Sequence, residues 1–134
     1  MTRLPPRVLV DTHALLWMLT DPALLPRTLR ADLANRETTV FVSAASAWEI
    51  ATKNRLGKLP QADVLLRAYQ HHLNRLRVEP LDITAEHALF AGSMDWPHRD
   101  PFDRMIAAQC MIESLPLVTK DSVFATVVGL DVRW

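Results

Sequence analysis

Short apolar runs alternate along this chain with segments of helical periodicity, and that alternation is its strongest constraint on the fold. Val8-Leu9-Val10, Thr38 to Val42, Val78 to Leu81, Leu117 to Thr119 and Leu130 to Trp134 are strand-length and separated by helix-length segments. The first helix is expected over Thr12 to Leu19. Asp21-Pro22 reads as a second helix start, with Asp21 as N-cap, and Leu24, Leu25, Leu29 and Leu33 carry that helix to near Asn35. Further helices are expected at Ser46 to Arg55, stopped by Gly57, at Gln61 to Leu76, at Thr84 to Ser93 with Thr84 as N-cap, and at Pro101 to Glu113. Trp96 to Arg99 reads as a loop, and Ser122 to Val127 as a short helix. Strands alternating with helices imply an α/β domain with a small central parallel sheet covered on both faces.

Length and charge narrow the function. The 134 residues, 49% hydrophobic and 22% charged, fit one domain over residues 1–134. Fifteen basic and fifteen acidic residues cancel, so a polyanion could be held only by segregated basic residues or with the help of a metal. The lone Cys110 has no partner for an internal disulfide and sits in an apolar helix, where a small buried hydrophobe is the simpler role. No apolar stretch approaches the ~20 residues of a membrane span, and no long apolar segment follows the N-terminal basic residues, so no signal peptide and no membrane are expected.

Acidic residues stand where the apolar runs should end. Asp11 follows Val8-Leu9-Val10, Glu49 comes soon after Val40-Phe41-Val42, Asp121 lies just beyond Leu117-Val118-Thr119, and Asp100-Pro101-Phe102-Asp103 opens the most regular helix. In an open parallel sheet the strand C-termini converge on one edge, where ligands bind. Several carboxylates delivered there repel one another, and a hard divalent cation with oxygen ligands, Mg²⁺ or Mn²⁺, relieves the conflict.

Each position also has a purely structural reading. Asp11 and Asp121 can cap the helices that follow them. Glu49, three residues after Ser46, can close a capping box. Asp100 before Pro101 is the better N-cap, which leaves Asp103 in the first turn, favoured there by the helix dipole yet free to point outward. Thr119 could orient a neighbouring carboxylate, although its β-propensity explains it as well. Individually these signals are weak; as an ordered set they point to metal-dependent phosphoryl-transfer chemistry.

Four segments carry a resemblance to a known family: Val8-Leu9-Val10-Asp11-Thr12-His13-Ala14-Leu15-Leu16-Trp17, Val42-Ser43-Ala44-Ala45-Ser46-Ala47-Trp48-Glu49-Ile50, His98-Arg99-Asp100-Pro101-Phe102-Asp103-Arg104-Met105-Ile106-Ala107-Ala108-Gln109, and Leu117-Val118-Thr119-Lys120-Asp121. Gly57-Lys58-Leu59 adds to them. The chain resembles PIN-domain ribonucleases, and among them the VapC-type toxins of bacterial toxin–antitoxin pairs, from about residue 7 to its end. The resemblance implies a PIN-like three-layer fold and an acidic quartet of Asp11, Glu49, Asp103 and Asp121 as catalytic metal ligands. Thr12, Asp100 and Thr119 would support them. It implies RNA cleavage with Mg²⁺ or Mn²⁺, one ion activating water and a second, if bound, stabilising the leaving 3′ oxygen, to give 5′-phosphate and 3′-hydroxyl ends. His13 and His98 lie near the acids, but the chemistry requires neither.

With a neutral total charge, grip on RNA has to come from local cations. Lys53, Arg55 and Lys58 beyond Glu49, with Arg99, Arg104 and Lys120 beside the other acids, are the candidates for phosphate contacts. Trp17, Trp48 and Trp96 are candidates for stacking on unpaired bases, with packing in the core as the alternative. The resemblance further implies a cytoplasmic bacterial protein, a homodimer, and a cognate antitoxin whose C-terminal segment covers an apolar groove. Leu15, Leu16, Trp17, Met18, Trp48 and Ala51 are the groove candidates, with a place in the core as the alternative. Competing readings are a receiver-like domain, a haloacid-dehalogenase-like phosphatase and a catalytically silent PIN scaffold. The first needs paired acids near the first strand, where Asp11 stands alone, and the second needs an Asp where His13 stands.

Overall fold

The computed structural model describes residues 4–134; Met1 to Arg3 of the expected 1–134 domain lie outside the described residues. Five parallel strands form the sheet: β1 (Arg7–Val10), β2 (Thr39–Ser43), β3 (Val78–Leu81), β4 (Leu117–Val118) and β5 (Val132–Arg133). Their order is β3-β2-β1-β4-β5. The chain therefore winds outward one way from β1 and then the other, and the order reverses between β1 and β4. In such sheets the crevice beyond the strand C-termini at that reversal is where ligands bind.

Side-chain alternation along the strands separates two cores. Val8 and Val10 of β1, Val40 and Val42 of β2, and Val118 of β4 face one side. They pack there with Ala14, Leu15 and Leu16 of α1 (Thr12–Thr20), Leu29 and Leu33 of α2 (Arg27–Ala34), and Ile50 of α3 (Ala44–Arg55). Leu65 of α4 (Asp63–Arg67) and Leu73 of α5 (Tyr69–Leu76) complete that core. Leu9 and Leu117 face the other side with Ile106, Ala107 and Cys110 of α7 (Pro101–Glu113), Phe124 and Trp96. The remaining helix, α6 (Ala85–Ser93), packs on α7. Buried His87 of α6 bonds the Glu113 carboxylate across that contact at 3.0 Å. This is the three-layer arrangement expected from strand and helix alternation.

Local chemistry moves several expected boundaries. The helix expected to start at Asp21 is a 3-10 turn, Pro22–Leu24, with no cap bond from Asp21, and α2 begins only at Arg27. Pro26 drives Leu25 into extended backbone (φ −87°, ψ 140°), so the helix cannot pass through. The single helix expected over Gln61 to Leu76 is a 3-10 turn followed by α4 and α5, broken at Ala68 (φ −152°, ψ 58°). Leu65 and Leu73 are both fully buried in one core. The backbone leaves helical geometry at Ala68, and the two short helices each direct their leucine into that core.

The structure also corrects the capping box proposed for Ser46 and Glu49. β2 runs directly into α3, so the N-cap is Ser43, whose Oγ accepts the Ala45 N–H at 2.9 Å. Glu49 lies in the second turn, beyond reach of that cap.

The loop between α6 and α7 is fixed by one side chain. Arg104 donates to the backbone carbonyls of Ala91 (2.9 Å), Met94 (2.7 Å), Trp96 (2.6 Å) and His98 (3.0 Å). Trp96 is buried beneath the loop, and its indole N–H donates to Thr126 at 2.8 Å. A lysine cannot reproduce a planar fork of donors. Replacing Arg104 with Lys should destabilise the fold by about 2–3 kcal/mol, as carbonyls buried by the loop lose their partners. Chemical denaturation checks this; an unchanged unfolding midpoint would show the fork to be dispensable.

Candidate metal centre

The end of β1 meets the end of β4 at the reversal of strand order. There Asp11 is the N-cap of α1, its Oδ1 accepting the Ala14 N–H at 2.8 Å. Its Oδ2 accepts the Thr119 hydroxyl, and Thr119 Oγ1 accepts the Asp121 N–H at 3.0 Å. Thr119 thus orients Asp11 and positions Asp121 with one hydroxyl. Asp11 is buried, and that burial raises its pKa. The bonds from Thr119 and Ala14 and the neighbouring His13 only partly offset it, while the charge of Glu49 pushes the same way.

α3 delivers Glu49, only 3% exposed, from the neighbouring strand. Its Oε1 accepts the Thr12 hydroxyl at 2.5 Å, and Thr12 also lies 2.9 Å from Ser46 Oγ. Its Oε2 is paired with the ammonium of Lys53, one turn further along the helix. Both carboxylate oxygens are therefore held by the protein.

The third contribution comes from the start of α7. Asp100 is the N-cap, as the Asp-Pro pair predicts, with Oδ1 accepting the N–H groups of Phe102 (2.9 Å) and Asp103 (3.1 Å). Asp103 points away from the cap, and its Oδ2 lies 2.7 Å from His98 Nε2. Burial, followed by repulsion from Asp100 and Glu49, pushes Asp103 up to about 6, against the lowering effect of His98.

One oxygen from each of Glu49, Asp100 and Asp103 lies within 4.8 Å of the others. Asp11, Thr12, Lys53 and Asp121 line the same cleft, of about 170 Å³. Asp121 is exposed at its edge, capping the 3-10 turn Ser122–Thr126 through a bond from the Val123 N–H (3.0 Å). All four carboxylates of the expected quartet thus line one cleft. Asp100, expected to be secondary, belongs to its tightest oxygen cluster.

The expected nucleic-acid contacts divide. Arg55, Lys58, Arg99 and Lys120 are exposed. Lys120 borders a wider depression of about 450 Å³ that shares Asp11 and Asp121 with the cleft. Arg104 is corrected: its guanidinium is engaged by loop carbonyls rather than offered to phosphate. Trp96 is corrected as a stacking residue, because it is buried. Of the two readings for Leu15 and Leu16, groove or core, the structure shows core. Trp48 is 60% exposed and meets the ring of Phe102 edge-on, centroids 4.7 Å apart, with Glu49 and Asp103 next to them in sequence.

Two partners were not anticipated. The i,i+4 spacing of Glu49 and Lys53 was a readable signal for their pairing. The His98–Asp103 bond spans an irregular loop and has no periodic signature.

The family model of the PIN domain matches residues 8–130, and this chain belongs to that family. Over 58 residues it is 36% identical to ribonuclease VapC16 of Mycobacterium tuberculosis. The match covers 43% of this chain, and the chain spans 41% of that relative's length. The fold is shared with VapBC2 from Rickettsia felis, solved bound to a DNA fragment from their promoter (TM-score 0.69, 17% identity, 95% of this chain and 97% of that one). It is shared as closely with DNA-bound VapBC from Salmonella typhimurium (TM-score 0.69, 18% identity, 96% and 98%).

The raised Asp103 pKa has a definite sign for stability. Between the ordinary value of 3.8 and about 6 the folded protein binds more protons than the unfolded chain, so the metal-free fold loses stability as pH rises through that window. Asp103→Asn removes the charge and should raise the metal-free melting temperature at pH 7.5 by roughly 3 °C. The gain should shrink at pH 5, where the native carboxyl is largely protonated. A variant that melts below the parent at both pH values would contradict this origin of the strain.

Proposed function

We propose that the chain is a VapC-type toxin, a cytoplasmic divalent-metal-dependent endoribonuclease held inactive by a cognate antitoxin and acting as a homodimer. The observation carrying this reading is the acidic cleft at the strand-order reversal, where carboxylates from β1, α3 and α7 crowd together with raised Asp11 and Asp103 pKa values. Five carboxylates line the cleft beside the single imidazole of His13, and so oxygen-rich a donor set suits Mg²⁺ or Mn²⁺ over softer ions. The name of the ribonuclease relative and the assemblies of the fold's neighbours support the same assignment.

In this reading Asp11, Glu49 and Asp103 hold the ion, with Asp121 completing the site, and Asp100 contributes the oxygen that its cap leaves free. When bound, the metal would make a water nucleophile available near neutral pH and stabilise charge on the reacting phosphate. The protein's own part is orientation. Thr119 and Thr12 hold the carboxylates of Asp11 and Glu49, and His98 holds Asp103. Exposed Arg55, Lys58, Arg99 and Lys120 supply phosphate contacts, and the Trp48–Phe102 pair offers an aromatic face to an unpaired base. Trp48 and Ala51 are exposed and available to the antitoxin, whereas Trp17 and Met18 are half-buried against the core. A receiver-like or dehalogenase-like reaction has less support, because the residues after Asp11 are Thr12 and exposed His13 rather than a second acid. A catalytically silent scaffold would have no need of five carboxylates lining one cleft.

Purified protein should cleave single-stranded RNA with Mn²⁺ and stop on addition of EDTA. Replacing orienting partners of metal ligands costs about 10–100-fold, so Asp11→Asn or Asp103→Asn should lower cleavage by more than about 100-fold while circular dichroism is retained. Undiminished cleavage by a verified metal-free sample would refute the assignment.

A further inference from the structure

We propose that Lys53 is a displaceable internal counter-ion, whose ammonium holds Glu49 in the metal-free protein and competes with the divalent cation for that carboxylate. This deepens the proposed function and rests on it. Glu49 has two partners, one for each oxygen: Thr12 on Oε1 and Lys53 on Oε2. They differ in their freedom to leave. Thr12 is buried at the first position of α1, 3% exposed, and as a neutral hydroxyl donor it does not oppose a cation at the same carboxylate. The Lys53 side chain is 30% exposed and ends a flexible four-carbon stem. Entry of a cation at Glu49 therefore displaces Lys53 rather than Thr12.

The surroundings explain why a lysine is useful there. Lys53 lines the cleft together with Asp11, Asp100, Asp103 and Asp121. Burial pulls its pKa down, but the bond to Glu49 and the charges of Glu49, Asp100 and Asp103 outweigh this and raise it, so the group stays cationic. In the metal-free protein it offsets part of the repulsion among these carboxylates. Once a divalent ion takes over that role, two cations in one cleft repel. The released ammonium then has a flexible reach beside the site, where an RNA phosphate can take the place of Glu49 as its partner. Metal loading and exposure of a phosphate-binding cation thus become one event.

The test is Mn²⁺ titration of the full chain by calorimetry, without RNA. Losing a partly exposed competing ion pair should tighten Mn²⁺ binding by about 2–5-fold in Lys53→Met. Lys53→Gln should behave likewise, covering the case in which the methionine variant folds poorly. Lys53→Arg, which keeps the charge, should bind as the parent does. Lys120→Met removes a charge beside Asp11 and Asp121 but leaves Glu49 paired, and should tighten binding less. Unchanged or weaker binding in both neutral Lys53 variants, or equal tightening in Lys120→Met, would overturn the competition while leaving the metal site intact. Failure of the parent to bind Mn²⁺ at millimolar concentration would overturn the proposed function itself, and the role of Lys53 with it.

Discussion

Like charges brought together at the edge of the sheet are the condition around which this molecule is organised. Asp11, Glu49 and Asp103 leave bulk water on folding and end beside one another, and for Asp11 and Asp103 this raises the cost of ionisation. A fold selected only for stability could cap these helices with uncharged Ser, Thr or Asn, and would gain nothing by bringing several carboxylates into one cleft. Retained strain at a crevice is what a site for a positively charged ligand requires, with destabilisation of the empty protein as its consequence.

The scaffold holds that strain through short-range bonds rather than through bulk burial. Parallel strands bring β1 and β4 side by side, and Thr119 then reaches Asp11 across 108 residues of chain. Thr12 performs the equivalent task for Glu49. At α7 the Asp100 cap fixes the first turn, and Arg104 gathers the preceding loop so that His98 meets Asp103. Asp11, Glu49 and Asp103 are thus each oriented by a side chain from outside their own helix, the precondition for a site whose geometry is set before its ligand arrives.

Much of this was legible in the residues. β-branched runs located the strands, the Asp-Pro pair located the start of α7, and the acids after three of the strands and at that helix start anticipated the cleft. What was not legible depended on tertiary context. Ser46 and Glu49 have the spacing of a capping box, yet the strand runs on to Ser43 and shifts the helix start. Leu65 and Leu73 suggest one continuous helix, but the backbone breaks at Ala68, where no Gly or Pro marks it in the sequence. Arg104 looked like a phosphate ligand because it adjoins an acid, and only the path of the loop shows four carbonyls converging on it. Burial separated Trp96, Leu15 and Leu16 from the surface roles considered for them.

The chain belongs to the PIN family, and the cation site proposed for its acidic cleft is open to direct observation. The most direct test is anomalous diffraction from a crystal of this protein soaked in Mn²⁺. The expected result is a peak bounded by the carboxylates of Asp11, Glu49 and Asp103, with Lys53 withdrawn from Glu49. A fully soaked crystal with no peak in the cleft, or with manganese bound only elsewhere, would contradict the account.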